Sequence, residues 1–242
     1  MLVATYAERP DLAARLGELE DVFPKFMHHG DVTTRYWPTF ASGRFPEYQL
    51  VLYDEAADAI LGRGQTTPFR WDGSTEDLPD GVDGVLRRTY EEVGEPTTLS
   101  ALVAVVDPSS QGRGLSRLII EGMRDVAARH GLDALVAPVR PTLKPRYPLT
   151  PIERYLSWRR DDGELFDPWL RLHERLGAEI LGVCPGSLVV SGSVAEWEAW
   201  TGMVFPDSGA YIVEGALVPV EIDRERDLGR YVEPNVWMRH AV

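Results

Sequence analysis

The stretch that decides the fold covers residues 98–131. It reads Thr98-Leu99-Ser100-Ala101-Leu102-Val103-Ala104-Val105-Val106-Asp107-Pro108, then Ser109-Ser110-Gln111-Gly112-Arg113-Gly114-Leu115-Ser116, then a helical pattern closed by Gly131. The valine-rich run over 99–106 predicts a buried strand, and Asp107-Pro108 stops it, because proline has no N–H and disfavours a helical residue before it. Beyond the glycine loop, Leu115, Leu118, Ile119, Gly122, Val126, Ala127 and His130 recur at helical spacing on one face. Arg117, Glu121, Arg124, Asp125 and Arg129 take the other, and Gly131 suits a left-handed cap. A strand, a glycine loop and a helix N-terminus in that order expose backbone N–H groups at one point, a seat for an anion such as phosphate.

Known phosphate signatures narrow the choice. The P-loop tripeptide Gly-Lys-Ser/Thr does not occur, and the dinucleotide pattern starting at Gly112 and Gly114 has Arg117 where its third glycine belongs. The pattern Gln-x-x-Gly-x-Gly/Ala is met by Gln111 and Gly114, with the small residue Ser116 in the last place. In this stretch the chain resembles the GNAT superfamily of acetyl-CoA-dependent acyltransferases, whose pyrophosphate loop follows a Val-x-Pro strand end, here Val106-Asp107-Pro108. The resemblance implies an α/β (α+β) fold with a mixed, mostly antiparallel central sheet flanked by helices and splayed at the cofactor site. It implies acetyl-CoA or another acyl-CoA as cofactor, held by Gln111, Gly112, Arg113, Gly114, Leu115, Ser116 and Arg117. The pantetheine arm is then expected along the edge of Ala104, Val105 and Val106.

Composition sets outer bounds. The 242 residues are 44% hydrophobic and 26% charged, ordinary for a globular chain with a substantial core. A formal net charge of −13 argues against a broad nucleic-acid surface, which needs clustered cations. Residues 111–146 nonetheless hold seven Lys/Arg against three Asp/Glu. Arg113, Arg117, Arg140, Lys144 and Arg146 are therefore candidates to face a polyanion, against the alternative of a solvated mixed surface. The lone Cys184 permits no internal disulfide, and its apolar setting predicts buried filler. His28-His29 lacks a third ligand at metal spacing and reads as surface, so no metal site is expected. No run approaches eighteen apolar residues and the first residues do not look like a leader, so the expectation is a cytoplasmic protein with no membrane partner.

Taken in order, the chain predicts a strand over 2–6 and a helix from Pro10 or Asp11 with Leu12, Leu16, Leu19 and Phe23 inward. An aromatic segment over 32–45 follows, with Tyr36, Trp37, Phe40 and Phe45. Next come a hairpin over 48–65, a helix within 77–94, the unit described above, and a buried strand over 133–139. Residues 140–166 form a proline-stiffened, aromatic insertion, helical over 152–160, placed where a lid or substrate rim would sit. Asp167-Pro168 opens a helix ended by Gly177, a strand starts at Ile180, and Ser193 and Glu196 form a capping box. An alternating strand over 211–222, a charged tail over 223–230 and a packed end over 234–240 complete a single domain spanning 1–242, whose extension over 190–242 stays unassigned.

Leu172-His173-Glu174-Arg175-Leu176-Gly177-Ala178 carries the second part of the resemblance. GNAT enzymes often show Leu-Tyr-x-Lys-x-Gly-Phe on this helix, the tyrosine protonating the departing thiolate. Here His173 stands in the tyrosine's place, Arg175 in the lysine's and Ala178 in the phenylalanine's. The family's asparagine about seven residues earlier is absent, Phe166 or Asp167 standing there. An imidazole titrating near its ordinary pKa of about 6.5 suits a proton donor or acceptor. The alternatives are a core histidine, or Tyr147 or Tyr155 as the acid. The resemblance also extends to GNAT-like decarboxylases of polyketide loading modules, in which a threonine and a histidine are implicated. Thr142 and His173 would take those roles, with a carrier protein as acceptor. The main expectation is an enzyme that moves an acyl group directly to a small amine. The alternatives are malonyl-CoA decarboxylation with S-transfer, and an acyl-CoA sensor without turnover. The oligomeric state is left open, a homodimer included.

Overall fold

The computed structural model of the protein describes residues 1–41 and 43–242. The strands are β1 (Leu2–Thr5), β2 (Leu50–Asp54), β3 (Ala59–Phe69), β4 (Thr98–Val106), β5 (Ala134–Val139), β6 (Glu179–Gly192), β7 (Gly209–Tyr211), β8 (Val220–Asp223) and β9 (Leu228–Ala241). The helices are α1 (Pro10–Ala13), α2 (Thr33–Ala41), α3 (Gly81–Glu91), α4 (Leu115–Arg129), α5 (Ile152–Leu156), α6 (Pro168–Arg175) and α7 (Val194–Thr201). The strands form one sheet in the order β1-β2-β3-β4-β5-β9-β8-β7, with β6 also paired to β9. Every described pairing is antiparallel except that of β4 with β5. This is the mixed, mostly antiparallel sheet that the family resemblance implies.

Helix α4 lies against the first half of the sheet. Ile119, Met123, Val126 and Ala127 pack on Leu50, Leu52, Leu99 and Leu135, all buried. Each large side chain there contributes roughly 1.5–3 kcal/mol on leaving water. The helix sits close because β3 offers it glycines: a Cβ on Gly64 would stand 2.7 Å from Met123 Cε, and one on Gly62 would stand 3.1 Å from Ile119 Cδ1. Positions 62 and 64 thus face α4, and Arg63 between them faces the opposite side of the sheet. There the helices α2 and α3 and the segment around Lys25–His29 cover the strands.

Several sequence expectations need correction at their boundaries. The first helix ends at Ala13 and a separate 3-10 turn covers Leu16–Glu18; Leu12 is buried, but Phe23 faces a cleft rather than a helix seam. The helix expected over 152–160 stops at Leu156, and the chain then turns through a bridge between Arg159 and Leu165. The charged run over 223–230 is no tail but the turn of the β8–β9 hairpin. The alternating stretch over 211–222 divides into β7 and β8. The chain's last residues enter the middle of the sheet, Val236–Ala241 pairing with β5 on one side while 235–239 pair with β6 on the other. Phe40's side chain and Ser42 fall outside the described residues.

The parallel pair β4–β5 matters most for function. Only Thr98, Leu99 and Ser100 pair with β5, opposite Ala134, Leu135 and Val136; beyond them the strands diverge. Pro138 marks the divergence in sequence. It has no N–H to give a neighbour, and on its β4 side there is no longer a strand to receive one. Two residues beyond Ser100, the register of β4 against β3 shifts between Gln65 and Thr66, leaving Leu102 as the extra residue of a bulge.

Candidate functional site

The splay opens into a cleft of about 920 Å³, within the range of small-molecule sites. One wall is β4 over 101–106, the other is β5 from Ala137 through Arg140. At one end lie Gln111, Gly112, Gly114, Leu115, Ser116 and Arg117, from the loop and first turn of α4. At the other lie Phe23, Met27, Thr33, Thr34 and Trp37, from the segments covering the far face. Arg63, Thr142, His173, Glu233 and Asn235 also border it. The cleft therefore brings together residues from the whole length of the chain.

The loop has the geometry of an anion seat. Asp107 caps a short turn by accepting from the N–H of Ser109, and Gly112 and Gly114 take φ of +78° and +75°. Those conformations suit glycine, and a Cβ at either position would meet no protein atom within 4 Å. The space in front of the turn is empty of protein. Among the described hydrogen bonds, the N–H groups of Gly112, Arg113, Gly114, Leu115 and Ser116 find no protein acceptor, while that of Arg117 turns back to the Gly114 carbonyl at 3.2 Å. Free N–H groups at the positive end of a 15-residue helix favour a diphosphate. With the unpaired edge of β4 beside them, these residues fit an acyl-CoA: the loop for its diphosphate, the edge for its pantetheine amides. The Ala104, Val105 and Val106 positions border the cleft as the expected edge.

The cationic candidates separate. Arg117 borders the cleft and pairs with Glu121 at 2.7 Å. Arg140 borders it too, donating to Glu233 at 2.9 Å and to the Gly215 carbonyl. Lys144 does not face a cofactor, contrary to expectation. It is fully buried, its ammonium donating to the carbonyls of Tyr147 and Leu217 at 2.9 and 2.6 Å, and burial pulls its pKa down to about 8. It ties the insertion to the C-terminal extension. The side chains of Arg113 and Arg146 are exposed and are not among the lining residues.

His173 sits on α6, started by Asp167, whose carboxylate accepts from the N–H of Trp169 and Leu170. That carboxylate also accepts from Leu143 N–H at 2.8 Å and the Tyr155 hydroxyl at 2.7 Å. Thr142 Oγ1 stands 3.5 Å from it, long for a hydrogen bond. Asp167 thus joins the insertion to the helix that carries His173. The His173 ring is only 3% exposed, lies edge-to-face against Trp169, and puts Nδ1 2.9 Å from His240 Nε2. Its Nε2 has no protein partner. Burial first, then the neighbouring His240, pushes the His173 pKa down to about 3, and burial pushes His240 to about 4. The expectation of an imidazole titrating near 6.5 therefore fails: both rings are neutral at pH 7, because both are buried and neither finds a counter-charge. Tyr155 is not a free acid either, its hydroxyl being committed to Asp167 and its pKa raised by burial. Tyr147 packs against Trp158 and Phe166 away from the cleft lining.

Three bordering groups and one residue behind them escaped the sequence reading. On β9, Glu233 accepts from Arg140 and from the Tyr231 hydroxyl. Asn235 donates to Pro138 O and Ser187 Oγ while its Oδ1 stays unpartnered. His240 lies beneath His173, and Arg63 projects from β3. No local signal marks them, since each is placed by strand pairing over long separations; the alternation Tyr231, Glu233, Asn235 is the only periodic hint. His28 and His29 are used apart, His28 pairing with Asp21 and His29 stacking on Trp200. Cys184 is buried among Phe69, Trp71 and Trp237, and burial raises its thiol to about 11. No helix among the described residues is long and apolar enough to cross a membrane.

No family model matches the chain. Over 276 aligned residues it is 30% identical to the arginine N-acetyltransferase avaD of Aspergillus versicolor, the match covering 98% of this chain and 93% of that protein. Its fold resembles the loading GNATL domain of CurA from Lyngbya majuscula, with a TM-score of 0.55 at 19% identity over 84% of this chain and 82% of that one. It also resembles the GphF GNAT-like decarboxylase, solved in complex with isobutyryl-CoA, with a TM-score of 0.53 at 18% identity over 100% and 99%. The open sheet splayed at one parallel pair, the bare N–H groups before α4 and the likeness to avaD along nearly all of both sequences lead to one assignment: the chain belongs to the GNAT superfamily of acyl-CoA-dependent acyltransferases.

Proposed function

We propose that the protein transfers an acetyl group from acetyl-CoA to a nitrogen of a small amine acceptor of the arginine kind. The observation that carries this reading is the continuous cleft, which joins the bare loop before α4 to a chamber lined by Phe23, Met27, Thr33, Thr34 and Trp37 on the opposite face of the sheet. Its support from comparison is the 30% identity to an arginine N-acetyltransferase.

Acetyl-CoA supplies an acyl group activated as a thioester. The N–H groups over 112–116 hold the diphosphate, and the free edge of Ala104, Val105 and Val106 receives the pantetheine amides as a neighbouring strand would. The Leu102 bulge turns backbone N–H groups out of the β3 ladder beside the cleft, where a donor steadies charge on the acyl oxygen. Asn235 Oδ1, buried and unpartnered, accepts a hydrogen from the acceptor nitrogen and orients its lone pair. With His240 Nε2 donating to His173 Nδ1, the remaining proton of His173 sits on Nε2. The neutral ring then stands as a hydrogen-bond donor in the place of the family's tyrosine. Cys184 takes no part: the amine attacks the thioester carbonyl directly, the C–N bond forms as the C–S bond breaks, and CoA leaves as the thiol while the nitrogen gives up one proton.

A second reading, decarboxylation of malonyl-CoA with transfer to a carrier protein, draws on one observation: Thr142 and His173 both border the cleft. Mass spectrometry of products separates the two. Acetyl-CoA consumed only when arginine or a related amine is present supports N-transfer. Malonyl-CoA converted to acetyl-CoA without any amine supports the second reading. Tight binding of both with no turnover across a broad amine panel overturns both.

A further inference from the structure

Five arginines and one carboxylate, Glu233, border the cleft of a chain that is strongly acidic overall. Four of the arginines are already engaged: Arg117 with Glu121, Arg140 with Glu233, Arg175 with Glu164, and Arg171 with the carbonyls of Leu165 and Phe166. Arg63 is different. Among the described residues its guanidinium makes no hydrogen bond or ion pair, and its Nε is sealed from solvent without a partner. Arginine stays charged at any working pH, and a half-buried, unpaired guanidinium is poorly compensated. The planar fork matches a carboxylate through two parallel hydrogen bonds.

Position decides which anion. Arg63 pairs in register with Val105 and projects from the side of the sheet opposite α4, whereas the diphosphate loop leads into α4 itself. The segments that share the Arg63 side of the cleft are those over 22–38, the side left for an acceptor. We propose that Arg63 is the docking residue for the acceptor's carboxylate, so that the acceptor is a free amino acid rather than a decarboxylated, amidated or peptide-bound amine. This rests on the N-transfer reading above and narrows its substrate class.

The test is calorimetric binding of arginine and of argininamide to the protein saturated with CoA, at 0.15 M salt, using wild type, Arg63→Gln and Arg63→Lys. Argininamide carries the extra positive charge, so the acidic chain as a whole favours it; a preference for arginine has to come from a local anion seat. A charge-assisted bidentate pair makes the wild type bind arginine about tenfold to a hundredfold more tightly. Arg63→Gln loses that preference, Arg63→Lys keeps part of it, and all three proteins hold CoA alike. Equal binding of the two compounds by wild type, or binding of neither, overturns the proposal. So does a preference that survives in Arg63→Gln, or a loss of CoA affinity as large as the loss of arginine. Turnover is read separately: a carboxylate preference without acetyl transfer sinks the N-transfer reading and leaves the anion seat standing.

Discussion

Replacing Gly114 by glutamate tests the anion seat most directly. Gly114 is the N-cap of α4 at φ +75°, and a side chain there would point into space free of protein atoms. The fold therefore loses only the left-handed strain of a non-glycine residue, about 1–2 kcal/mol. A bound diphosphate changes the account. A carboxylate about 5 Å from one phosphate charge, at an effective dielectric constant near 20, adds roughly 3 kcal/mol of repulsion, and the side chain also fills the seat. Acetyl-CoA affinity should fall by more than about 10²-fold. Gly131→Glu is the control: it has φ +67°, nothing within 4 Å of its Cβ, and a place at the far end of the same helix. It carries the same strain and the same added charge. Calorimetry with acetyl-CoA on both variants, with thermal melts to confirm folding, measures the difference. If Gly114→Glu and Gly131→Glu bind alike, the diphosphate does not sit on this turn and the reasoning is refuted.

Four further outcomes follow from the same structure. His173→Gln, which keeps most of the volume, should lower kcat by about 10²-fold with acetyl-CoA affinity unchanged; a wild-type rate would return His173 to packing. Because His173 is held neutral, the wild-type rate profile should show no histidine step near pH 6.5. Folding stability should decline with acid: both histidines have folded pKa values below the unfolded value, so the unfolded chain binds more protons between pH 6.5 and about 4. The loss between pH 7 and 4 is roughly 3–6 kcal/mol for the pair, read by urea melts, and stability independent of pH over that window would contradict it. Lys144→Ala leaves the Tyr147 and Leu217 carbonyls unpaired beside a new void. It should destabilise by about 3 kcal/mol and lower Tm by about 6–12 °C; an unchanged melt would remove Lys144 from its role as the tie.

The loop before α4 was legible because its information is local. Gln111, Gly112 and Gly114 set their own backbone angles, and the valines before and the heptad-like pattern after fix strand and helix without reference to distant chain. Asp167-Pro168 and the Ser193–Glu196 pair were legible for the same reason, each cap being made by its own side chain. The N-terminal helix is shorter than its apolar spacing predicts, since Leu16 and Leu19 keep helical spacing in a segment whose hydrogen bonds close only short turns.

What the sequence by itself determined was the strand, the glycine turn and the helix behind it, hence the loop proposed to seat an anion and the family resemblance it carries. Tertiary structure alone decided what surrounds that seat. The chain's end became the strand that holds β5 from behind while β4 departs, and it brought Glu233, Asn235 and His240 against residues up to a hundred positions away. Whether Lys144 meets a carbonyl, and whether Arg63 finds an acceptor among the described residues, depends on how strands pair across the sheet, a non-local choice that no window of neighbouring residues contains.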